Sequence, residues 1–459
     1  MILGSAEPPP TQRKIAAQEI RWRIVSAATE LFAENGFVSP SMDDIAERAY
    51  VTKRTVYRHM TSKDGVLAAI HERMLEVTMQ SLEASGAATM TSARDKLVQH
   101  IRVHIAAVTN FVTEATVFFE QMKYLSPKTR AAVVARRDLY EGQVRDIIAQ
   151  GIESGEFREC SPQVCSQYLL GAINYMYRWY RSDNPLPPER VADIAVDLVL
   201  NGFDGRCSAS PPLVVGRAMA RTRRAAEDLQ RRWSDPSVTP KFDEVADVAT
   251  GLFAAKGFHG TSAADLAAAT NLGKGTLYYY IEGKSRLLSA VLERGMTASE
   301  QCLAAAILGT AADDEVLANL ITQQCNDVAT RQFEVRVALQ ESRYLPADEA
   351  AVLADRERVI RDITAQVISA SSAASKRSLA TAQTLANLEI GAAVFISTWF
   401  RSDGQLRSTD IGRQFADLFL RGISREKSKP AAVKSSGPRT QTERAAASDS
   451  ASSGNFGKS

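Results

Sequence analysis

Ser41-Met42-Asp43-Asp44-Ile45-Ala46-Glu47-Arg48-Ala49-Tyr50-Val51-Thr52-Lys53-Arg54-Thr55-Val56-Tyr57-Arg58-His59 is the stretch that decides the fold. Ser41 stands before a short apolar-periodic run as a helix N-cap, and Asp44, three residues on, is a short-armed version of the capping box. After Tyr50-Val51-Thr52 a second short helix opens at Lys53. Two short helices across a tight turn, with a longer helical stretch before them from about Gln18 to the break at Asn35-Gly36, are the plan of a helix-turn-helix. Ile45, Ala46, Ala49, Val51 and Val56 supply the apolar seam between the pair. Arg48, Lys53, Arg54, Arg58 and Lys63 are basic, and no acid intervenes before Asp64. With Thr52, Thr55, Tyr57 and His59 adding uncharged hydrogen-bonding groups, the second helix suits a major groove, where cations grip phosphates and side chains read base edges.

The stretch returns. Gly36-Phe37 reappears as Gly257-Phe258 and Thr55-Val56-Tyr57 as Thr276-Leu277-Tyr278, an offset of 221 (258 less 37). Trp179, Arg181, Ser182 and Asp183 reappear as Trp399, Arg401, Ser402 and Asp403, an offset of 220. A single long offset held across both halves is duplication of a whole unit, not the short period of a solenoid.

At 459 residues each half is large enough to bury its own core. Apolar residues recur three and four apart, as in Ile24, Ala27, Ala28, Leu31 and Phe32, and strand signals are nearly absent, so both halves read as all-α. The reading divides the chain into a flexible arm (1–17), a first helix-turn-helix domain (18–65), a first longer helical domain (66–204), a basic linker with a helical middle (205–238), a second helix-turn-helix domain (239–286), a second longer helical domain (287–423) and a disordered tail (424–459). With 55 Lys and Arg against 53 Asp and Glu the chain is no polycation, so any nucleic-acid footprint is local. The linker's arginines, Arg217 to Arg232, read as a solvated helix face in preference to a DNA contact. No apolar run of membrane-spanning length and no signal peptide is apparent, so the expectation is a cytoplasmic protein without a membrane partner. The five cysteines do not recur at matching places, and no Gly-x-Ser-x-Gly, P-loop or zinc-protease motif is present. No catalytic residue, cofactor or metal is expected. His100 and His104, four apart, lack the further ligands a metal needs.

Gly-Phe, Ser-Met-Asp-Asp-Ile-Ala and Val-Thr-Lys-Arg-Thr-Val-Tyr-Arg-His-Met over positions 36 to 60, with Lys63, resemble the DNA-binding domain of the TetR family of transcriptional regulators. The copy from Gly257 through Leu272-Gly273-Lys274-Gly275-Thr276-Leu277-Tyr278-Tyr279-Tyr280 to Lys284 resembles it as closely. The resemblance implies two tandem units, each a three-helix helix-turn-helix domain followed by a helical domain that binds a small effector and pairs subunits through its last two long helices. It further implies a double-stranded DNA operator, a repressor released by its effector, and an intrachain pseudo-dimer able to pair further as a homodimer. An alternative keeps one half on DNA and gives the other dimerisation or effector binding. By the same resemblance, Ser41, Thr52, Lys53, Arg54, Thr55, Tyr57, Arg58, His59 and Lys63 face DNA in the first half. Ser262, Gly273, Lys274, Gly275, Thr276, Tyr278, Tyr279 and Lys284 do so in the second. Arg54, Arg58 and His59 give way to Gly275, Tyr279 and Tyr280, so the two readers are expected to prefer different half-sites.

Tyr177-Arg178-Trp179-Tyr180-Arg181, followed by Pro187-Pro188-Glu189-Arg190, is similar to a branch of that family associated with lipid and steroid catabolism and responsive to acyl-CoA thioesters. It implies a small apolar, lipid or acyl-CoA-like effector, with Tyr124, Arg178, Trp179 and Arg181, and Tyr344, Trp399 and Arg401 in the second half, as effector-binding residues. Interface packing is the competing reading for these aromatics.

Overall fold

A computed structural model describes residues 12–204, 216–231, 240–281, 283–370 and 378–423, and among these every regular element is a helix. The first half comprises α1 (Gln12–Asn35), α2 (Met42–Arg48), α3 (Lys53–His59), α4 (Lys63–Ala84), α5 (Ala93–Asn110), α6 (Val112–Glu120), a 3₁₀ turn at Met122–Tyr124, α7 (Pro127–Glu153), α8 (Pro162–Asn174), the short α9 (Met176–Trp179) and α10 (Pro188–Phe203). The helix α11 (Gly216–Gln230) leads into the second half. That half comprises α12 (Pro240–Lys256), α13 (Ala263–Thr270), α14 (Lys274–Ile281), α15 (Lys284–Leu308), α16 (Val316–Thr330), α17 (Gln332–Glu341), a 3₁₀ turn at Ser342–Tyr344, α18 (Ala347–Ala370), α19 (Leu379–Trp399) and α20 (Ser408–Ile423). Helix α1 begins at Gln12, so the end of the expected arm is helical; residues 1–11 and the tail from 424 lie outside the described residues.

Local chemistry places the breaks. Gly36 and its counterpart Gly257 adopt φ of 71° and 76°, the left-handed conformation that ends a helix without a Cβ clash. Ser41 accepts from the Asp44 amide at 3.2 Å while its own amide donates to the Asp44 carboxylate at 2.7 Å, and Ser262 with Asp265 repeats this at 3.1 and 2.8 Å. Both capping boxes are therefore closed.

The helix α11 is less solvated than a spacer. Met219, Ala226 and Leu229 are buried against α15 and α18, and Arg223 donates to the Ile307 and Thr310 carbonyls and to Asp313, all at 2.8 Å for its closest contacts. Arg217, Arg221 and Arg224 remain exposed, as the solvated-face reading expects; Arg232 lies outside the described residues.

The halves meet through α8 on α19 and α10 on α20. A Cβ on Gly171 would lie 2.7 Å from the Phe395 Cβ, and one on Gly391 would lie 2.6 Å from the Tyr175 Cβ. Each glycine and each aromatic is 220 positions from its counterpart, so one contact is made twice about a pseudo-two-fold axis, the isologous pattern of a C2 interface within a single chain. Helix α19 is long and apolar enough to cross a membrane by length and mean hydropathy, but 61% of that window is buried, as in the core helix of a bundle.

Candidate functional site

The readers sit on short helices pinned by α1 and α12. Arg23 donates to the Ala49 carbonyl at 2.6 Å and the Tyr50 carbonyl at 3.0 Å, satisfying the end of α2. Arg48 bonds to Glu30 and Glu34 on α1 and so braces the domain. Tyr50 and its counterpart Asn271 carry the turn with φ of 53° and 54°. Thr52 caps α3, its hydroxyl 3.2 Å from the Thr55 amide; Gly273 holds the equivalent place before α14 with no hydroxyl to offer.

Val56 and Leu277 are the buried anchors of the two reading helices, and the opposite faces are open. Lys53, Arg54, Tyr57 and Arg58 are exposed in the first reader; Lys274, Gly275, Thr276, Tyr278 and Tyr279 are exposed in the second. Ser41, Thr52 and Ser262 are exposed beside them, and Thr55 is half-buried. Lys53 is paired with Asp43 at 2.9 Å, whereas Ala264 stands at the position of Asp43 in the second half.

Three expected DNA contacts are placed differently. Lys63 donates to the Val38 and Pro40 carbonyls at 2.8 and 2.9 Å, and Lys284 to the Phe258 and Thr261 carbonyls at the same distances. Burial lowers the pKa of both, and each ammonium lies over a phenyl ring, Phe37 or Phe258. They fix the loop before the capping box. His59 turns inward, half-buried, with no partner for Nε2 among the described residues, while its carbonyl accepts from Arg21 at 3.5 Å.

Cavities at the junction of the two helical domains are lined by residues of both halves. One of about 70 Å³ is lined in the first half by Met74, His104, Phe118, Tyr140 and Asn174, and is closed by Phe395, Thr398 and Trp399 of the second. Another, of about 170 Å³, is lined in the second half by Met296, Val328, Ala338, Leu353 and Ile390, and is closed by Tyr175, Arg178 and Trp179 of the first. Each tryptophan therefore serves the opposite half's cavity. Trp179 Nε1 and Trp399 Nε1 have no hydrogen-bond partner among the described residues.

The other expected effector residues are elsewhere. Arg181 is exposed and donates to the Tyr180 carbonyl at 2.9 Å, and Arg401 is exposed beside Asp403. Both follow the helix end that closes the cavity, so they point into solvent. Tyr124 stacks on Phe37 at 5.3 Å and Tyr344 on Phe258 at 5.7 Å, beside the readers. His104 Nε2 is 2.9 Å from the Asn174 Oδ1, and burial pushes the imidazoles of His100 and His104 down to about 4.

The tyrosines belong to a clasp that sequence reading missed. The 3₁₀ turn after each cavity-lining helix, α6 or α17, meets the reader of its own half and that of the other. Gln121 accepts from the Phe37 amide at 3.1 Å, and Glu341 from the Phe258 amide at 2.8 Å. Across the halves, Lys123 pairs with Glu341 and Arg343 with Glu120. Arg343 also donates to the Phe32 and Ala33 carbonyls, at 3.1 and 2.7 Å, capping the end of α1. Tyr344 fills the space a side chain on Gly36 would need, and Tyr124 does so at Gly257. The one sequence signal was that Lys123-Tyr124 and Arg343-Tyr344 are themselves 220 apart.

Comparison with known proteins agrees with the duplication. The family described as bacterial regulatory proteins, tetR family, matches residues 24–70 and 245–291, and that described as tetracyclin repressor-like, C-terminal domain, matches 90–203 and 310–423. The transcriptional regulator YdeS of Bacillus subtilis is 30% identical over 192 residues, which cover 40% of this chain and 87% of YdeS. The transcriptional repressor KstR2 of Mycolicibacterium smegmatis is 23% identical over 189 residues (40% of this chain, 90% of KstR2), and the transcriptional activator FasR of the same organism is 22% identical over 194 (41% and 85%). One relative thus corresponds to one half. With both family domains present twice and in the same order, the chain belongs to the TetR family of DNA-binding transcriptional regulators, as two complete units in tandem.

Proposed function

We propose that this regulator is a single-chain repressor that holds an asymmetric operator with both readers and is released by a small, largely apolar effector of the lipid or acyl-CoA thioester kind. The clasp carries the reading. Phe118 and Phe119 on α6 line the first cavity, and the same helix runs directly into Lys123 and Tyr124 on the second reader's side. Ala338 on α17 lines the second cavity and leads in the same way to Arg343 and Tyr344 against the first reader. A ligand that shifts α6 or α17 therefore biases the spacing of the two readers, and successive major grooves about 34 Å apart accept only one spacing. The covalent link gives the readers an effective concentration in the mM range, on the order expected of a short tether.

The DNA side of the proposal assigns Lys53, Arg54, Tyr57 and Arg58 to the first half-site and Lys274, Thr276, Tyr278 and Tyr279 to the second. A basic reader and an aromatic one favour different sequences. Binding-site selection followed by titration of the retained complex with medium-chain acyl-CoA tests this. The expected result is an imperfect palindrome released by the thioester; a perfect palindrome, or a complex tightened by the thioester, rejects it.

A further inference from the structure

Compared position by position, the two cavities differ in their chemistry. In the first, Tyr140 is 7% exposed and its hydroxyl has no partner among the described residues, beside the His104–Asn174 pair. Burial keeps His104 uncharged, with its pKa near 4. The charged groups at this cavity's edge are matched: Glu141 accepts from Gln167, and Arg137 lies 3.2 Å from Asp138. What the first cavity offers is a neutral hydrogen-bonding interior in an apolar wall.

In the second, Ile360, Gln324 and Val394 stand where the first half has Tyr140, His104 and Asn174. Ala338 and Gly295 replace Phe118 and Met74, which accounts for the larger volume, about 170 against about 70 Å³. Charge appears instead. Asp327 is held by Arg331 at 2.7 Å, and Arg178 lies 3.5 Å from Glu357 and 3.8 Å from Glu120. Glu334 lines the cavity too, but Glu114 is its equivalent, so it does not distinguish the halves. Arg361 does. It replaces Glu141, lines the cavity half-buried, and has no ion-pair or hydrogen-bond partner among the described residues. A guanidinium withdrawn from water presents a rigid fork that a carboxylate or phosphate satisfies with two parallel bonds.

We propose that the two halves have become receptors for two chemically different ligands: the first cavity takes an uncharged, mainly apolar molecule whose polar group meets the Tyr140 hydroxyl, and the second a larger molecule with a carboxylate or phosphate that meets Arg361. The proposal rests on the cavities being effector sites. One operator would then respond to two signals, each read through the helix, α6 or α17, that lines its own cavity.

Isothermal titration of the full chain with octan-1-ol, octanoate and octyl phosphate tests it, the two anions separating carboxylate from phosphate recognition. Octanol and the better anion should each bind one site per chain without competing. Arg361→Gln should weaken the anion by about tenfold or more and leave octanol unchanged, with Arg361→Lys recovering part of the loss. Tyr140→Phe should weaken octanol by about threefold and leave the anion unchanged. Circular dichroism shows whether each variant remains folded. Lack of anion binding by the unsubstituted chain, competition between the probes, or an equal effect of either substitution on both probes overturns the proposal. Binding as described without any change in operator affinity leaves the two-receptor inference standing and removes the effector reading. Release by a single ligand that fills both cavities does the reverse.

Discussion

Gly202 faces Leu418 so closely that a Cβ on the glycine would lie 2.7 Å from the leucine carbonyl oxygen, and Gly422 faces Leu198 in the same way. The two contacts are one contact repeated at an offset of 220, so α10 and α20 touch backbone to backbone at two equivalent points. We expect Gly202→Val and Gly422→Val each to lower stability by about 1–3 kcal/mol through overpacking, measured by urea unfolding. The two effects should be of similar size, because the sites are equivalent by pseudo-symmetry.

The clasp makes a separate demand. Glu120 and Glu341 are 2% and 1% exposed, so removal of either cation leaves a buried carboxylate poorly matched. Arg343→Met is expected to destabilise by about 3 kcal/mol or more. Lys123→Met with Glu341→Gln should be milder than the sum of the single changes, with a coupling of about 1–3 kcal/mol in a double-mutant cycle. Additive losses would show that Lys123 and Glu341 do not act as a pair.

Glu389 supplies a pH dependence. It is 1% exposed on α19, and burial pushes its carboxyl up to about 8. With the Gln324 amide oriented to donate, its nitrogen lies 3.0 Å from both Glu389 oxygens. Between the ordinary value of 4.5 and about 8 the folded chain keeps a proton that the unfolded chain releases. The unfolded state binds fewer protons there, so stability falls as pH rises, by up to about 1.4 kcal/mol per pH unit. Glu389→Gln should flatten that slope between pH 5 and 8 and raise stability at pH 8; an unchanged slope assigns the dependence to other groups.

On DNA, the two readers should differ in their salt response. Arg54→Ala and Arg58→Ala each remove a cation and should reduce the slope of log K against log salt by about 0.9 where the side chain meets a phosphate. Tyr279→Ala should weaken binding without changing that slope. Equal slopes for all three would place neither arginine on the phosphate backbone.

The helix-turn-helix was legible in the sequence because its signals are local: a capping box at Ser41, a break at Gly36 and a three-residue turn before Lys53. The duplication was legible because the offsets agree. What escaped was non-local. Lys63 and Lys284 have the right charge for phosphate, but their ammonium groups are held by carbonyls more than twenty positions away, which no periodicity reveals. The resemblance implies Tyr124 and Tyr344 as effector-binding residues; the 3₁₀ turn swings them to the readers instead. Trp179 and Trp399 each line a cavity, and the crossing of α8 and α19 gives each to the opposite half, which no local pattern announces.

If one chain does the work of a dimer, the mass of the protein–operator complex must show it. Native mass spectrometry on the selected operator should give one 50.0 kDa chain per duplex, with footprinting showing two protected half-sites of different sequence. Two chains per operator, or protection of a single half-site, would contradict it.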